Sequence, residues 1–284
     1  MNILVTGGTG YLGRHLIKRF IEARHSVMCV GKTTGKAVDL QSDFKDVLLL
    51  HSEDENMESK ILDFAPDTIV NLACKYELEG VSPASILDAN LIFPFRIMQY
   101  ALRTDTKLWI NAGSSLPINL NSYSLSKCQF SQWGEYYSDR SKLTFLNLKL
   151  ESFYGINQPP THFLGWVIRD LISGKPLNLT IGTQKKDFIF IEDVEDVFCS
   201  LLSRPLTGYW DIPVGTGNAP VLRDVIEYLH IITHSESKLN FGAIPQRNNE
   251  PSGACDTSIL KQFGLECTCF WKTGMKKCFG ESEE

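Results

Sequence analysis

The sequence predicts an α/β fold: a doubly wound parallel sheet followed by a smaller α/β lobe. Three observations carry that expectation. Apolar, strand-sized runs alternate with amphipathic helical stretches, and no hairpin signal separates them, which is the pattern of a parallel sheet crossed by helices. The first such run ends in the glycine-rich turn "TGGTGYLG". After "ESFYG" the alternation gives way to loop-rich chain. The expected organisation is a first domain over residues 1–154, joined by about 187–203, and a second lobe over 155–284.

"NILVTGG" is a short apolar run closed by glycines and reads as a buried strand. In "GYLGRHLIKRFIEAR", Leu12, Leu16, Ile17 and Phe20 share one helical face. "HSVMCVGK" and "DVLLLHSE" are the second and third strands. "SKILDFAPDTIVNLAC" is a helix end, a Pro-Asp turn and a fourth strand. Residues 83–103 suit a helix with a kink at Pro94. "KLWINAGSS" is a fifth strand, residues 123–139 a long helix, and "LTFLNLKL" a sixth strand. The lobe holds helix 164–173, the strand-like "DFIFIEDV", a helix from 193 to about 203, and helix 222–232.

Composition narrows the function. A chain of 284 residues, 43% hydrophobic and 21% charged, has the length for a large core and an ordinary globular balance. A net charge of −5 gives no basic footprint for nucleic acid. No basic segment precedes an apolar one at the start, and the apolar runs are far shorter than a membrane span. The eight cysteines form no paired C-x-x-C knuckles, so no metal is expected, and reduced thiols in a cytoplasmic protein are the natural reading.

Gly7, Gly10 and Gly13 stand in G-x-x-G-x-x-G spacing between the first strand and the first helix. Glycine permits the tight turn and lets the backbone approach a pyrophosphate resting on the helix N-terminus. Gly7, Gly10, Tyr11, Leu12 and Gly13 are therefore candidate dinucleotide contacts, and the sheet is read as a Rossmann domain. An NAD site carries an acid about 20 residues on, at the end of the second strand, for the ribose 2′-hydroxyl. That point reads "VGKTTGK". Gly31 stands in place of the acid, with Lys32 and Lys36 close by to pair with a 2′-phosphate. NADPH is expected in preference to NAD, with Lys32 the better candidate.

In "SYSLSK", Tyr123 and Lys127 are four residues apart and share a helical face. Read without context, such a pair is an ordinary surface turn. Here it follows a nucleotide loop and sits just after Ser114 and Ser115 at a strand tip, where a doubly wound sheet holds its ligand. An ammonium about 4 Å from a phenolate contributes roughly 4 kcal/mol at an effective dielectric near 20. That is about 3 pK units, a ceiling that brings the phenol toward neutral pH and lets it exchange a proton with a substrate oxygen. A serine hydroxyl can hold that oxygen.

"TGGTGYLG", the serines of "NAGSS" and "YSLSK" together resemble the extended short-chain dehydrogenase/reductase family of nucleotide-sugar epimerases, dehydratases and ketoreductases. The resemblance makes Tyr123, Lys127 and Ser114 the catalytic residues, with Ser115 the fallback, and gives Tyr123 and Lys127 cofactor contacts as well. "NLAC" is similar to the family's fourth-strand motif beside the cofactor, which implicates Ala73; Asn90 resembles its buried helix asparagine. "INAGSSLP", "LKLESFYG", "KKDFIFIEDV" and "FGAIPQRNNE" look like the group of synthases that make CDP-3,6-dideoxyhexoses, paratose and abequose among them. That implies NADPH-dependent reduction of the C4 ketone of a CDP-4-keto-3,6-dideoxyhexose in bacterial O-antigen synthesis. Dehydratases of the family carry Thr-Asp-Glu where this chain has Ser114, Ser115 and Leu116, which argues against water loss. The family's arginine before Asp-Phe is Lys186 here, which keeps the charge and loses the planar fork.

A nucleotide diphosphate sugar needs cations and stacking groups, and Lys186, Arg247, Tyr154 and Ser115 are the candidates. Two other readings stay open: a 4-epimerase retaining tightly bound NAD, and a nucleotide-sensing protein without catalysis. The resemblance also implies a homodimer, and Trp133, Tyr136 and Tyr137 on the Tyr123 helix suit either its interface or a core.

Overall fold

A computed structural model describes residues 1–32, 35–246 and 251–280. The order begins β1 (Asn2–Thr6), α1 (Tyr11–Glu22), β2 (Ser26–Gly31), α2 (Gly35–Asp43), β3 (Leu48–His51), α3 (Met57–Phe64) and β4 (Thr68–Asn71). Next come α4 (Pro83–Leu87), a π-helical turn (Asp88–Ile92), α5 (Phe93–Ala101), β5 (Leu108–Ala112), α6 (Ser122–Ser138) and β6 (Thr144–Leu150). The rest is β7 (Ser152–Tyr154), α7 (Phe163–Ile172), β8 (Leu177–Leu179), β9 (Phe188–Phe190), α8 (Ile191–Leu201), β10 (Tyr209–Val214), α9 (Leu222–Ile232), β11 (Leu239–Phe241), α10 (Ser258–Gln262) and α11 (Trp271–Lys277).

Two compact units result: residues 1–149 with 195–212, and residues 150–194 with 213–284. The first holds a seven-stranded sheet in the order β10-β6-β5-β4-β1-β2-β3. Strands β3 through β6 pair in parallel, as a Rossmann fold requires. The sequence predicts six strands; the structure adds β10 at the edge, where Pro213 interrupts no ladder on its free side.

Alternation along the strands fills both faces. Leu4, Met28, Val30, Ile69 and Trp109 pack with Ile61, Ile97, Met98, Phe130 and Phe145 in one buried cluster. The helices α3, α5 and α6 supply its outer wall. Full burial of each such side chain is worth about 1.5–3 kcal/mol, so this layer fixes where α6 lies. Gly134 of α6 sits flat on the Phe145 ring, 2.4 Å from where a Cβ would fall.

The expected helix over 83–103 is not one α-helix. Pro94 lacks an N–H, and its ring would press on the carbonyl of Asn90, one turn back. The chain passes this point through the π turn Asp88–Ile92, with α5 restarting at Phe93. In "DFIFIEDV" only Phe188–Phe190 is strand, and the helix begins already at Ile191. Among the described residues no helix is long and apolar enough to cross a membrane.

In the second unit β7 pairs with β9 and β8 with β11, both in parallel. Asp187 ties it together: its carboxylate accepts from Thr216 N and Oγ1, Gly217 N and Cys255 N at 2.6–3.2 Å.

Candidate active site

The glycine loop is built by close backbone approach. Gly7 has φ +71, and a Cβ there would lie 2.6 Å from Ala73 N. A Cβ on Gly13 would lie 2.5 Å from Gly7 O and 2.6 Å from Gly8 Cα. Gly10 is the N-cap of α1 and carries no side-chain cap, and no acid occupies the first turn. The N–H groups that open α1 at Tyr11 and Leu12 thus meet no competing carboxylate from their own helix, and the turn leaves room for a phosphate. The residues present fit a dinucleotide pyrophosphate. Leu12 itself is buried, and the Tyr11 ring meets His15 edge-on at 4.9 Å.

At the tip of β2 the residue itself is glycine, and among the described residues no side chain crowds it. Gly31 has nothing within 4 Å of where a Cβ would fall, and Lys32 is exposed. Ala73 follows β4 and donates its N–H to Thr6 Oγ1 at 3.3 Å.

Asn121 caps α6: its side chain accepts from Ser124 N at 2.8 Å, and Ser124 Oγ accepts from Asn121 N at 3.2 Å. This capping box starts the helix two residues before Tyr123. It sets Tyr123 and Lys127 on the buried face, 9% and 4% exposed. Ser114, just past the end of β5, lies close enough to Tyr123 to pull its phenol down and takes the Leu116 N–H at 3.2 Å. Ser115 follows it, half-buried. Tyr123 and Lys127 thus share the buried face of α6, and Ser114 borders Tyr123.

Their electrostatics differ from the expectation. Burial raises Tyr123 above the ordinary phenol range, Cys74 adds to this, and Ser114 only partly opposes it. Burial lowers Lys127, against the pull of Cys74. The expected fall of Tyr123 toward neutral pH is not found, because losing water costs the phenolate more than its neighbours return. The resting Tyr123 is a firmly protonated donor.

Sequence reasoning missed the wall beside Tyr123. The Tyr76 ring lies 4.9 Å from the Tyr123 ring, tilted 34°. Its own hydroxyl is held well above the usual range, first by Cys74, then by burial and Tyr123. Asn90 clamps this stretch: it accepts from Lys75 N at 2.7 Å and donates to Lys75 O and Ser126 Oγ, each at 3.0 Å. Glu77 accepts the Ser122 N–H at 2.7 Å, where the positive end of α6 favours a carboxylate. The π turn presents Asn90 inward, as such turns often do at functional sites.

A polar ladder also escaped notice. Thr6 Oγ1 donates to Asn71 Oδ1 and Asn71 Nδ2 to Asn111 Oδ1, at 2.5 and 2.7 Å. Asn111 Nδ2 donates to Asn147 Oδ1 and Asn147 Nδ2 to Asp211 Oδ1, at 2.8 and 2.7 Å. It crosses β1, β4, β5, β6 and β10 near the ends that carry the site.

The second unit's candidates fare unevenly. Lys186 is half-buried, bridging to Gly253 and donating its N–H to Pro220 O at 3.1 Å. Tyr154 is fully buried. Its hydroxyl donates to Trp271 O at 3.1 Å, and its ring packs on Phe188 and Phe190. Tyr154 is core, not the wall of a sugar pocket, because its one polar atom is already satisfied inside the unit. Arg247 lies outside the described residues. Among the described residues no group of His, Cys, Asp or Glu is placed to hold a metal.

The model of the NAD dependent epimerase/dehydratase family matches residues 3–212. The chain belongs to that family. Among its members, the CDP-abequose synthase of Salmonella muenchen is 26% identical over 295 aligned residues, covering 99% of this chain and 98% of that protein. The family fold is shared with the UDP-glucose 4-epimerase of Thermotoga maritima solved with UDP-glucose: TM-score 0.86, 19% identity, 99% and 98% of the two chains. It is shared equally with the UDP-glucuronic acid 4-epimerase of Bacillus cereus, in complex with UDP-glucuronic acid and NAD, at TM-score 0.86, 20% identity and the same coverage.

Proposed function

We propose that this family member is an NADPH-dependent nucleotide-sugar 4-ketoreductase, acting on a CDP-4-keto-3,6-dideoxyhexose for bacterial surface polysaccharide. The observation that carries the reading is the buried pair Tyr123 and Lys127 on one face of α6, with Ser114 bordering Tyr123. The likeness to CDP-abequose synthase over nearly the whole chain supports the substrate class. Gly31 and the exposed Lys32 support NADPH.

The backbone at Gly7, Gly10, Tyr11, Leu12 and Gly13 would hold the pyrophosphate, Lys32 the 2′-phosphate, and Ala73 and Lys127 the nicotinamide riboside. The bound dinucleotide supplies a hydride to the ketone carbon. Ser114 holds the C4 oxygen in a hydrogen bond that strengthens as negative charge builds there. Tyr123 gives that oxygen its proton, and the Lys127 ammonium stabilises the phenolate left behind. Tyr123 carries its proton at working pH, and the charge building on the C4 oxygen together with the Lys127 ammonium draws that proton across. Ser115, Lys186 and Arg247 are the proposed nucleotide-sugar contacts. Exposed Trp133 and Tyr136 on α6, 40% and 45% accessible, with Leu91, Gln129 and Gln132 around a shallow depression, support a homodimer through that face. A cytoplasmic setting is part of the same reading.

The test is NADPH oxidation with CDP-4-keto-3,6-dideoxyglucose made in situ. Wild type turns over, and Tyr123→Phe loses about 10²- to 10⁴-fold, the usual worth of a general acid, while still binding NADPH. Full activity in Tyr123→Phe would sink the assignment.

The 4-epimerase fold neighbours favour one alternative, an epimerase. It would be purified with NAD in place and would interconvert a nucleotide sugar without consuming NADPH. A sensing protein without catalysis is disfavoured by the intact Tyr123 and Lys127.

A further inference from the structure

The stretch after β4 forms a wall beside Tyr123, and several of its polar groups are already committed. Both backbone groups of Lys75 bind Asn90. The Glu77 carboxylate is engaged by the Ser122 N–H. Asn90 also donates to Ser126, whose hydroxyl donates to Tyr123 O at 2.8 Å. What borders the Tyr123 ring is the ring of Tyr76, 4.9 Å away and 37% exposed, with the exposed Cys74 next to both. A wall that reads a sugar hydroxyl presents a carboxylate or an amide. This one presents an aromatic ring whose own hydroxyl meets the Cys74 thiol. The negative face of an aromatic ring packs against C–H groups, and it gains most over a carbon that carries no hydroxyl.

We infer that Tyr76 is a specificity-determining residue, packing its ring on the C3 methylene of a 3-deoxy sugar while Tyr123 meets the C4 oxygen. The inference rests on the ketoreductase reading above and deepens it. C4 is flanked by C3 and C5, and of the two only C3 of a 3-deoxy sugar is a bare methylene, the carbon that suits an aromatic ring. A 3-hydroxyl in that place would be pressed on the ring and lose water without gaining a partner. The Asn90 and Glu77 clamps keep the ring in that position before the sugar arrives.

The experiment compares kcat/KM of the full chain, with NADPH, on CDP-4-keto-3,6-dideoxyglucose and on CDP-4-keto-6-deoxyglucose, which keeps its 3-hydroxyl. The wild type prefers the 3-deoxy ketone by about 10- to 100-fold, the range one apolar contact achieves. Tyr76→Phe keeps that preference, since the ring remains. Tyr76→Ala brings the ratio to within about threefold, with NADPH affinity unchanged by fluorescence. A wild type without preference, an equal loss on both ketones in Tyr76→Ala, or a lost preference in Tyr76→Phe overturns this inference and leaves the ketoreductase standing. Turnover of neither ketone by the wild type overturns the ketoreductase reading and this inference with it.

Discussion

Asn111 Nδ2 donates to Asn147 Oδ1 at 2.8 Å, and a Cβ added at Gly113 would lie 2.5 Å from that same oxygen. Gly113 is thus where the polar ladder touches the loop that carries Ser114. Its N–H is tied to Leu148 O at 2.8 Å, and Ser114 comes next.

Gly113→Ala is expected to push either the Asn147 amide or the Ser114 turn aside. Overpacking of this kind costs about 1–3 kcal/mol. Displacing a catalytic hydroxyl by an ångström costs about 10²-fold. Stopped-flow turnover with NADPH affinity measured alongside checks this; kcat falls while NADPH binding holds.

Asn111→Leu keeps the branched shape and removes the middle of the ladder. It strands Asn71 Nδ2 and Asn147 Oδ1 in a fully buried place, at about 1–3 kcal/mol for each. A urea titration is expected to show a lower midpoint with an unchanged slope. A loss below about 1 kcal/mol would show that the ladder is not a stabilising element.

Gly31→Asp introduces the missing acid where there is open space, so folding is expected to be untouched. The carboxylate repels a 2′-phosphate and accepts from a 2′-hydroxyl. The ratio of kcat/KM for NADPH over NADH is expected to fall at least about tenfold, or about 1.4 kcal/mol. An unchanged ratio argues that β2 does not choose the cofactor.

Stability is expected to decline in alkali. Burial raises the Cys29 thiol from 9.0 to about 11, so the folded chain holds this proton more tightly than the unfolded chain. The contribution is intact below pH 9 and is lost as pH climbs toward 11, by about 2–3 kcal/mol. Tyr123, also raised, adds a loss of the same sign above about pH 10. Denaturant midpoints at pH 8 and pH 10.5 should converge in Cys29→Ala relative to wild type.

The sequence revealed what is local. Glycine spacing at Gly7, Gly10 and Gly13 and the four-residue step from Tyr123 to Lys127 are short-range geometry, and both assembled as expected. The ladder was hidden because its partners lie 36 to 65 residues apart and meet only through sheet register. A trace was there: an asparagine recurs inside buried strands, in "TIVN", "LWINA" and "FLNL". Tyr76 left no trace, since it sits on a non-periodic stretch whose path is set by Asn90 and Glu77. Tyr154 looked like a pocket residue because an aromatic after a strand suits a ligand and a core equally. The direction of the Tyr123 shift was misjudged because pair attraction can be written down from spacing, whereas desolvation needs the surrounding packing.

The π turn at Asp88–Ile92 makes Asn90 an editable feature. Such a turn holds one residue more than the α-helical path needs, so deleting Ala89 would let the segment close as a regular helix. Each residue advances the helix by about 100°, and Asn90 would swing off both Lys75 and Ser126. The shortened helix would be the more regular one, and the Tyr76 wall would lose its fastening. The irregularity is therefore a spacer: one surplus residue sets the gauge between the Tyr123 helix and the wall that faces it.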